Sequence, residues 1–184
     1  MDIQPTEIPD VKIIRPKIFS DARGFFSETY NRASLASAQI AMDFVQDNHA
    51  FSSQKGTVRG LHFQLAPAAQ HKLVRVVKGA IFDVAVDLRK GSPTYKRFVT
   101  MIISQKEWNQ IFIPIGFAHG LCTLEPDTEV IYKVSDLYSP KHERGILWND
   151  PELNIPWPVT EEQAFLSDKD RKNPSLRQMT ELSF

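Results

Sequence analysis

The chain has 184 residues, 42% hydrophobic and 24% charged, with 22 basic side chains against 22 acidic ones and a single cysteine. Those proportions predict one soluble globular domain over residues 1–184 and exclude a disordered or fibrous chain. Charge balance argues against a nucleic-acid binder, no apolar run reaches the roughly 18 residues of a membrane helix, and one cysteine allows no intrachain disulfide or thiolate zinc site. A reducing, cytoplasmic location is therefore expected, since residues 1–10 carry Asp2 and Glu7 and no basic-then-apolar leader.

The apolar pattern is short and strand-like almost throughout. Val11–Ile18 predicts a strand, Ser20 to Gly24 a turn, and Phe25–Tyr30 a second strand. Asn31 can cap a helix over Arg32–Ala41, with Leu35 and Ile40 facing inward. Strands are then predicted at Phe44–Ser53, Thr57–Gln64 and Lys72–Lys78. Ala80–Leu88 alternates strictly, with Phe82, Val84 and Val86 on one face and Asp83, Ala85 and Asp87 on the other. Phe98–Ile103, Gln110–Ile113, Ala118–Leu124 and Glu129–Val134 continue the series. Turn signals such as Lys78-Gly79, Gly91-Ser92-Pro93 and Pro114-Ile115-Gly116 separate them. Many short strands without alternating helices predict an all-β sandwich or barrel. The polar, Pro-punctuated stretch Trp148–Phe184 reads as a tail packed over that barrel, with one helical turn near Glu161.

No dinucleotide or P-loop phosphate motif and no GxSxG elbow occurs, and nothing marks Cys122 as a nucleophile. The densest polar cluster is Arg59-Gly60-Leu61-His62-Phe63-Gln64. A regular strand puts Arg59 and His62 on opposite faces, whereas a bulge at Gly60 brings both to one side. On pattern alone a satisfied core histidine and a strand-edge arginine are the plainer reading. Pro114-x-Gly116-x-x-His119 resembles the second cupin motif. The first cupin motif supplies a His-x-His pair, but here the second member is Gln64, which disfavours a bound metal. Lys72 opens a strand, Tyr132 sits within Val130–Val134, and Ser167-Asp168-Lys169-Asp170 fits a helix-capping box.

Taken together and in order, these stretches resemble the dTDP-4-dehydrorhamnose 3,5-epimerase family from about Ile8 to Asp170. Landmarks include Phe19-Ser20-Asp21-Ala22-Arg23-Gly24-Phe25-Phe26-Ser27-Glu28, Val45-Gln46-Asp47-Asn48-His49, the Arg59–Gln64 run, and Leu166-Ser167-Asp168-Lys169-Asp170. The resemblance implies a cupin-like jelly-roll β-barrel with short peripheral helices, no metal or other cofactor, and a dTDP-sugar substrate. It also implies a homodimer that exchanges N-terminal strands. His62 would be the base, paired with Asp170, Tyr132 the acid, and Lys72 the partner of the C4 oxygen, with His119 nearby. Arg59 and Arg23 would take the diphosphate, while Phe19, Glu28, Gln46 and Asn48 match the nucleoside-binding positions. Tyr138 and Lys169 match positions bordering the site. The chain departs from the family pattern at Ala50, where Ser is common, and at Leu137.

The residue types suit that chemistry. C3 and C5 of a 4-keto-6-deoxy sugar are both α to the carbonyl, so each proton can leave as an enolate forms. An imidazole titrating near about 6.5 suits proton abstraction at cellular pH. A carboxylate fixes its tautomer, an ammonium stabilises the enolate, and an acid on the opposite face inverts the centre. A single-centre epimerase would use the same groups; a metal-dependent cupin enzyme and a non-catalytic sugar-nucleotide-binding barrel are the other readings.

Overall fold

In the computed structural model, which describes residues 1–180 and 182–184, the chain forms β1 (Asp2–Pro5), β2 (Lys12–Arg15), β3 (Ile18–Asp21), β4 (Gly24–Ser27), α1 (Arg32–Ala36), β5 (Gln46–Ser52), β6 (Val58–Gln64) and β7 (Lys72–Lys78). It continues through β8 (Ala80–Asp87), β9 (Phe98–Ser104), β10 (Gln110–Ile113), β11 (Phe117–Thr123), β12 (Thr128–Val134), β13 (Glu143–Gly145) and α2 (Asp168–Arg171), with a 3-10 turn at Leu176–Gln178. One sheet runs β1-β2-β10-β7-β12-β5 and another β13-β6-β11-β8-β9, while β3 and β4 form a separate hairpin. This is the all-β jelly-roll architecture expected from the sequence. Among the described residues, no helix is long and apolar enough to cross a membrane.

Alternation explains how the two large sheets close on each other. Ile13, Val74, Val76, Ile111, Ile113 and Val130 of the first sheet meet Ile81, Ala85, Val99, Ile103, Phe117 and Leu121 of the second in one buried cluster. Burying each of the Val, Ile, Leu and Phe side chains among them stabilises the fold by about 1.5–3 kcal/mol. The outer face of the second sheet is covered as well. Leu61, Phe63, Val84, Val86 and Ala118 pack there against Leu153, Ile155 and Leu176 of the tail. β8 is therefore buried on both faces, and Asp83 and Asp87 are fully buried despite standing on its polar side. Cys122 packs in this region beside Val58 and Trp148, and burial pushes its thiol up to about 11.

Several predicted elements are shorter than their patterns: the Phe25–Tyr30 strand ends at Ser27, and the Phe44–Ser53 strand runs only over Gln46–Ser52. The Val11–Ile18 run divides because Pro16 follows β2 and has no N–H to extend the ladder, so Ile18 opens β3 instead. The helix expected to reach Ala41 ends at Ala36, and Gln39 turns the chain with φ 65°. Asn31 does cap it, accepting from Ser34 N at 3.1 Å, and Leu35 and Ile40 are both buried. Near Glu161 the tail makes one hydrogen-bonded turn, with Gln163 N and Ala164 N both donating to Thr160 O at 3.1 Å, and α2 follows at Asp168–Arg171. β1 and β13 are too short to show a pattern of their own.

Candidate active site

A bulge builds the site's first corner. On β6 and β11, His62 stands opposite His119 and Arg59 opposite Leu121, so Gly60 and Leu61 together face Gly120. The added residue brings positions 59 and 62 to one side, and both line a cavity of about 570 Å³. Only glycine fits at 60: its φ is +130°, and a Cβ there would lie 2.6 Å from Gly120 Cα. Arg59 is held by its Nε donating to Ser52 Oγ at 3.2 Å and its guanidinium donating to Phe51 O at 3.0 Å.

The tail delivers the next group. Phe165 N donates to Gly56 O and Val58 N donates to Phe165 O, both at 2.9 Å, which seats the tail along the start of β6. Ser167 then caps α2, accepting from Asp170 N at 3.1 Å. The Asp170 carboxyl does not complete a reciprocal box. It sits 2.5 Å from His62 Nε2 and is buried. Burial pushes this carboxyl up, but the bonds from His62, Gly60 N–H and Ser167 outweigh it and hold the group below the usual range. An ionised carboxylate can only accept, so His62 Nε2 carries the proton and Nδ1 is left with the free lone pair.

The opposite sheet supplies Lys72 and Tyr132, which line the same cavity. Lys72 Nζ donates to the His62 carbonyl at 3.3 Å. Its side chain keeps access to the cavity, yet protein surrounds the ammonium densely. The resulting desolvation lowers its pKa to about 8, against the opposing pull of Asp83 and Glu143. Burial also raises the Tyr132 hydroxyl, and Glu143 adds to this while Arg59 opposes it. His119 Nε2 donates to Asp83 Oδ2 at 2.8 Å, and Asp83 Oδ1 is buried with no hydrogen-bond partner.

A smaller cavity of about 130 Å³ shares His62, Lys72 and Tyr132 and adds Gln46, Asn48, Tyr138 and Glu143. Gln46 Nε2 donates to Asn48 Oδ1 at 2.8 Å, and Tyr138 N donates to Gln46 Oε1 at 3.1 Å. Glu143 Oε2 accepts from Tyr138 at 2.7 Å and from Lys169 Nζ at 2.5 Å. Burial pushes the Glu143 carboxyl up, but these two bonds and the nearby His62 carry it below its ordinary value.

Ten of the expected site residues thus meet around two adjoining cavities: His62, Lys72, Tyr132, Asp170, Arg59, His119, Lys169, Gln46, Asn48 and Tyr138. Three do not. Phe19, Arg23 and Glu28 lie on or beside the β3–β4 hairpin and are exposed. The Arg23 side chain is 90% exposed and pairs with Asp21 at 2.6 Å. Asp83, Glu143, Gln64 and Arg171 emerge only in three dimensions. Arg171 lines the larger cavity, and Gln64 lines the smaller. The only sequence sign of Asp83 was an acid among Ile81, Phe82 and Val84.

Known proteins share this arrangement of chain. The family model for dTDP-4-dehydrorhamnose 3,5-epimerase matches residues 5–178. A dTDP-4-dehydrorhamnose 3,5-epimerase of Shigella flexneri is 52% identical over 171 residues, covering 92% of this chain and 93% of that protein. The crystal structure of the Bacillus anthracis enzyme of that name, with TDP and pyrophosphate bound, superposes with a TM-score of 0.92 at 51% identity, covering 95% of this chain and 99% of that one. A Legionella pneumophila dTDP-6-deoxy-D-glucose-3,5-epimerase in complex with dTDP-4-keto-L-rhamnose gives 0.92 at 44% identity, covering 97% and 94%. With a family model across nearly the whole chain and relatives this close, the chain belongs to the dTDP-4-dehydrorhamnose 3,5-epimerase family.

Proposed function

We propose that this chain, as one domain over residues 1–184, inverts C3 and C5 of dTDP-4-dehydro-6-deoxy-D-glucose. The product is dTDP-4-dehydro-L-rhamnose, for rhamnose biosynthesis in the cytoplasm. The observation that carries the reading is the His62–Asp170 pair at 2.5 Å, set in one cavity with Lys72 and Tyr132 in a member of this family.

His62 Nδ1 takes a proton α to the C4 carbonyl, and electrons move into the carbonyl as an enolate forms. Asp170 balances the imidazolium. The Lys72 ammonium, with His119 beside it, meets the negative C4 oxygen; in a site shielded from water such a charge is worth far more than in solution. Tyr132 returns a proton from the opposite face, which inverts the centre, and is itself reprotonated from solvent as His62 releases its proton. Arg59 with Lys169 supports the diphosphate, and Gln46 and Asn48 form the nucleoside end, to which we add Tyr138 because its N–H donates to Gln46 Oε1 at 3.1 Å. No resident metal or other cofactor enters these steps.

We further propose a homodimer in which N-terminal strands are exchanged. The exposed hairpin supports this reading: Phe19, Phe25 and Phe26 are 50%, 60% and 65% exposed, more than an isolated chain would leave in water. Phe19, Arg23 and Glu28 of one protomer would then complete its partner's nucleotide site. Incubation of the 4-keto sugar nucleotide in D₂O tests the activity: deuterium at both C3 and C5 is expected, and label at one carbon alone would identify a single-centre epimerase instead.

A further inference from the structure

The Tyr138 ring is 54% exposed, so packing does not hold it in place. Its backbone is held instead, from both sides, by one side chain. Gln64 Nε2 donates to Leu137 O at 3.2 Å and to Ala68 O at 2.6 Å, and Gln64 Oε1 accepts from Ser139 N at 2.7 Å. Both amide donors and the carbonyl are thus engaged, on a residue only 5% exposed. Gln46 holds Tyr138 N from β5, and Gln70 Nε2 reaches Asp136 O at 2.7 Å. Those two bonds hold Asp136 O and Tyr138 N, and Ser139 O accepts from His142 N and Glu143 N, but Gln64 alone grips the backbone on both sides of Tyr138, at Leu137 O and Ser139 N. Gln64 also lies two positions beyond His62 on β6, so it ties this segment to the strand that carries the base.

We propose that Gln64 is a positioning residue for nucleotide binding: by clamping Leu137 and Ser139 it presents Tyr138 to the nucleobase, without touching the reacting atoms. This rests on the reading of Tyr138 as part of the nucleoside end of the site. Removing the clamp frees three backbone groups and lets the Tyr138 segment sample conformations that do not bind. The loss should therefore fall on affinity and not on turnover.

Calorimetry with dTDP, together with steady-state kinetics, tests it. Gln64→Met keeps the volume and removes all three bonds; dTDP affinity should fall about ten-fold, with KM rising in parallel and kcat falling far less. Amide hydrogen exchange at Leu137–Ser139 should speed up while β5 is unchanged. The double variant Gln64→Met/Tyr138→Ala should bind dTDP no more weakly than Tyr138→Ala alone, because the two act through one group. Binding by Gln64→Met within two-fold of the parent, or fully additive losses, would overturn the proposal. Should Gln64→Met fail to fold, Gln64→Glu sets a carboxylate against the Ala68 and Leu137 carbonyls, and the same ten-fold loss or its absence decides. If Tyr138→Ala binds dTDP normally, the nucleoside reading of Tyr138 falls and the clamp proposal with it. If Tyr138→Ala weakens binding and the Gln64 variants do not, the clamp proposal alone falls.

Discussion

His62 and Asp170 are 108 positions apart in the chain and 2.5 Å apart in the fold, joined by a tail that pairs along the start of β6 and then turns into a capped helix. The carboxylate fixes which imidazole nitrogen is basic, so the pair acts as a unit. His62→Ala should lower kcat/KM by about 10²–10⁴-fold with the fold retained, since the side chain is only partly buried. Asp170→Asn should lose a comparable amount, because an amide neither balances the imidazolium nor dictates its tautomer. Circular dichroism and the rate of solvent-deuterium uptake into substrate check both; near-normal uptake by His62→Ala would refute the mechanism.

Tyr132→Phe separates the two halves of inversion. His62 still removes the α proton and can return it to the same face, so exchange with D₂O continues. Reprotonation on the far face stops. Proton NMR should show labelled substrate of unchanged configuration, with epimerised product reduced by about 10²-fold or more. Loss of exchange and inversion in equal measure would place Tyr132 earlier in the reaction.

Lys72 sets the alkaline limit. In the proposed mechanism the charged ammonium is the form that stabilises the enolate oxygen, and its pKa is lowered to about 8. The Lys72 contribution is therefore fully present below that value and lost as pH rises through it. The kcat/KM profile should fall about tenfold per pH unit above the limit, as expected of a single essential acid in the free enzyme. Lys72→Arg should abolish this limb, since guanidinium stays charged. Asp83→Asn should move it to lower pH, because the Asp83 charge opposes the desolvation of Lys72.

Gly60→Ala should destabilise the protein by about 2–3 kcal/mol in urea unfolding and remove most activity. A Cβ at 2.6 Å from Gly120 Cα and 2.8 Å from His119 O has no flexible neighbour to displace, and the φ of +130° is unfavourable for alanine. Relief of the clash would shift the bulge that aligns Arg59 with His62.

Asp87 should set an acid limit on stability. Burial pushes its carboxyl up, but Arg89, Ser92 and Thr94 together hold it down at about 2, against an ordinary value of 3.8. A depressed carboxyl contributes stability above its unfolded pKa and loses it as pH falls through the folded one. Roughly 2 kcal/mol should therefore disappear between about pH 4 and pH 2, and Asp87→Ala should remove that pH dependence from chemical denaturation.

Much of this molecule was legible in its sequence because strand alternation and turn residues act locally. The strands at Lys72–Lys78 and Gln110–Ile113 fall where the pattern puts them, and the bulge at Gly60 is one that glycine within that strand permits. The Asn31 cap belongs to the same kind of short-range information. The His62 motif, the Lys72 strand and the Asp170 helix were each visible as segments.

What brought them together was not local. Asp83 stands on the polar face of an alternating strand, yet it is buried, because the tail covers one face of the sheet and the barrel interior takes the other. Glu143 lies on a three-residue strand with no pattern to read, and it gathers Tyr138 and Lys169 only once β13 pairs with β6. Gln64 looked like a missing metal ligand and is a backbone clamp. Neutral charge overall argues against a broad basic surface, but it could not show that Arg59, Lys72, Lys169 and Arg171 line one cavity. Short-range sterics and hydrogen bonding decide which segments form; the burial of long-range faces decides which side chains meet, and the chemistry resides in those meetings.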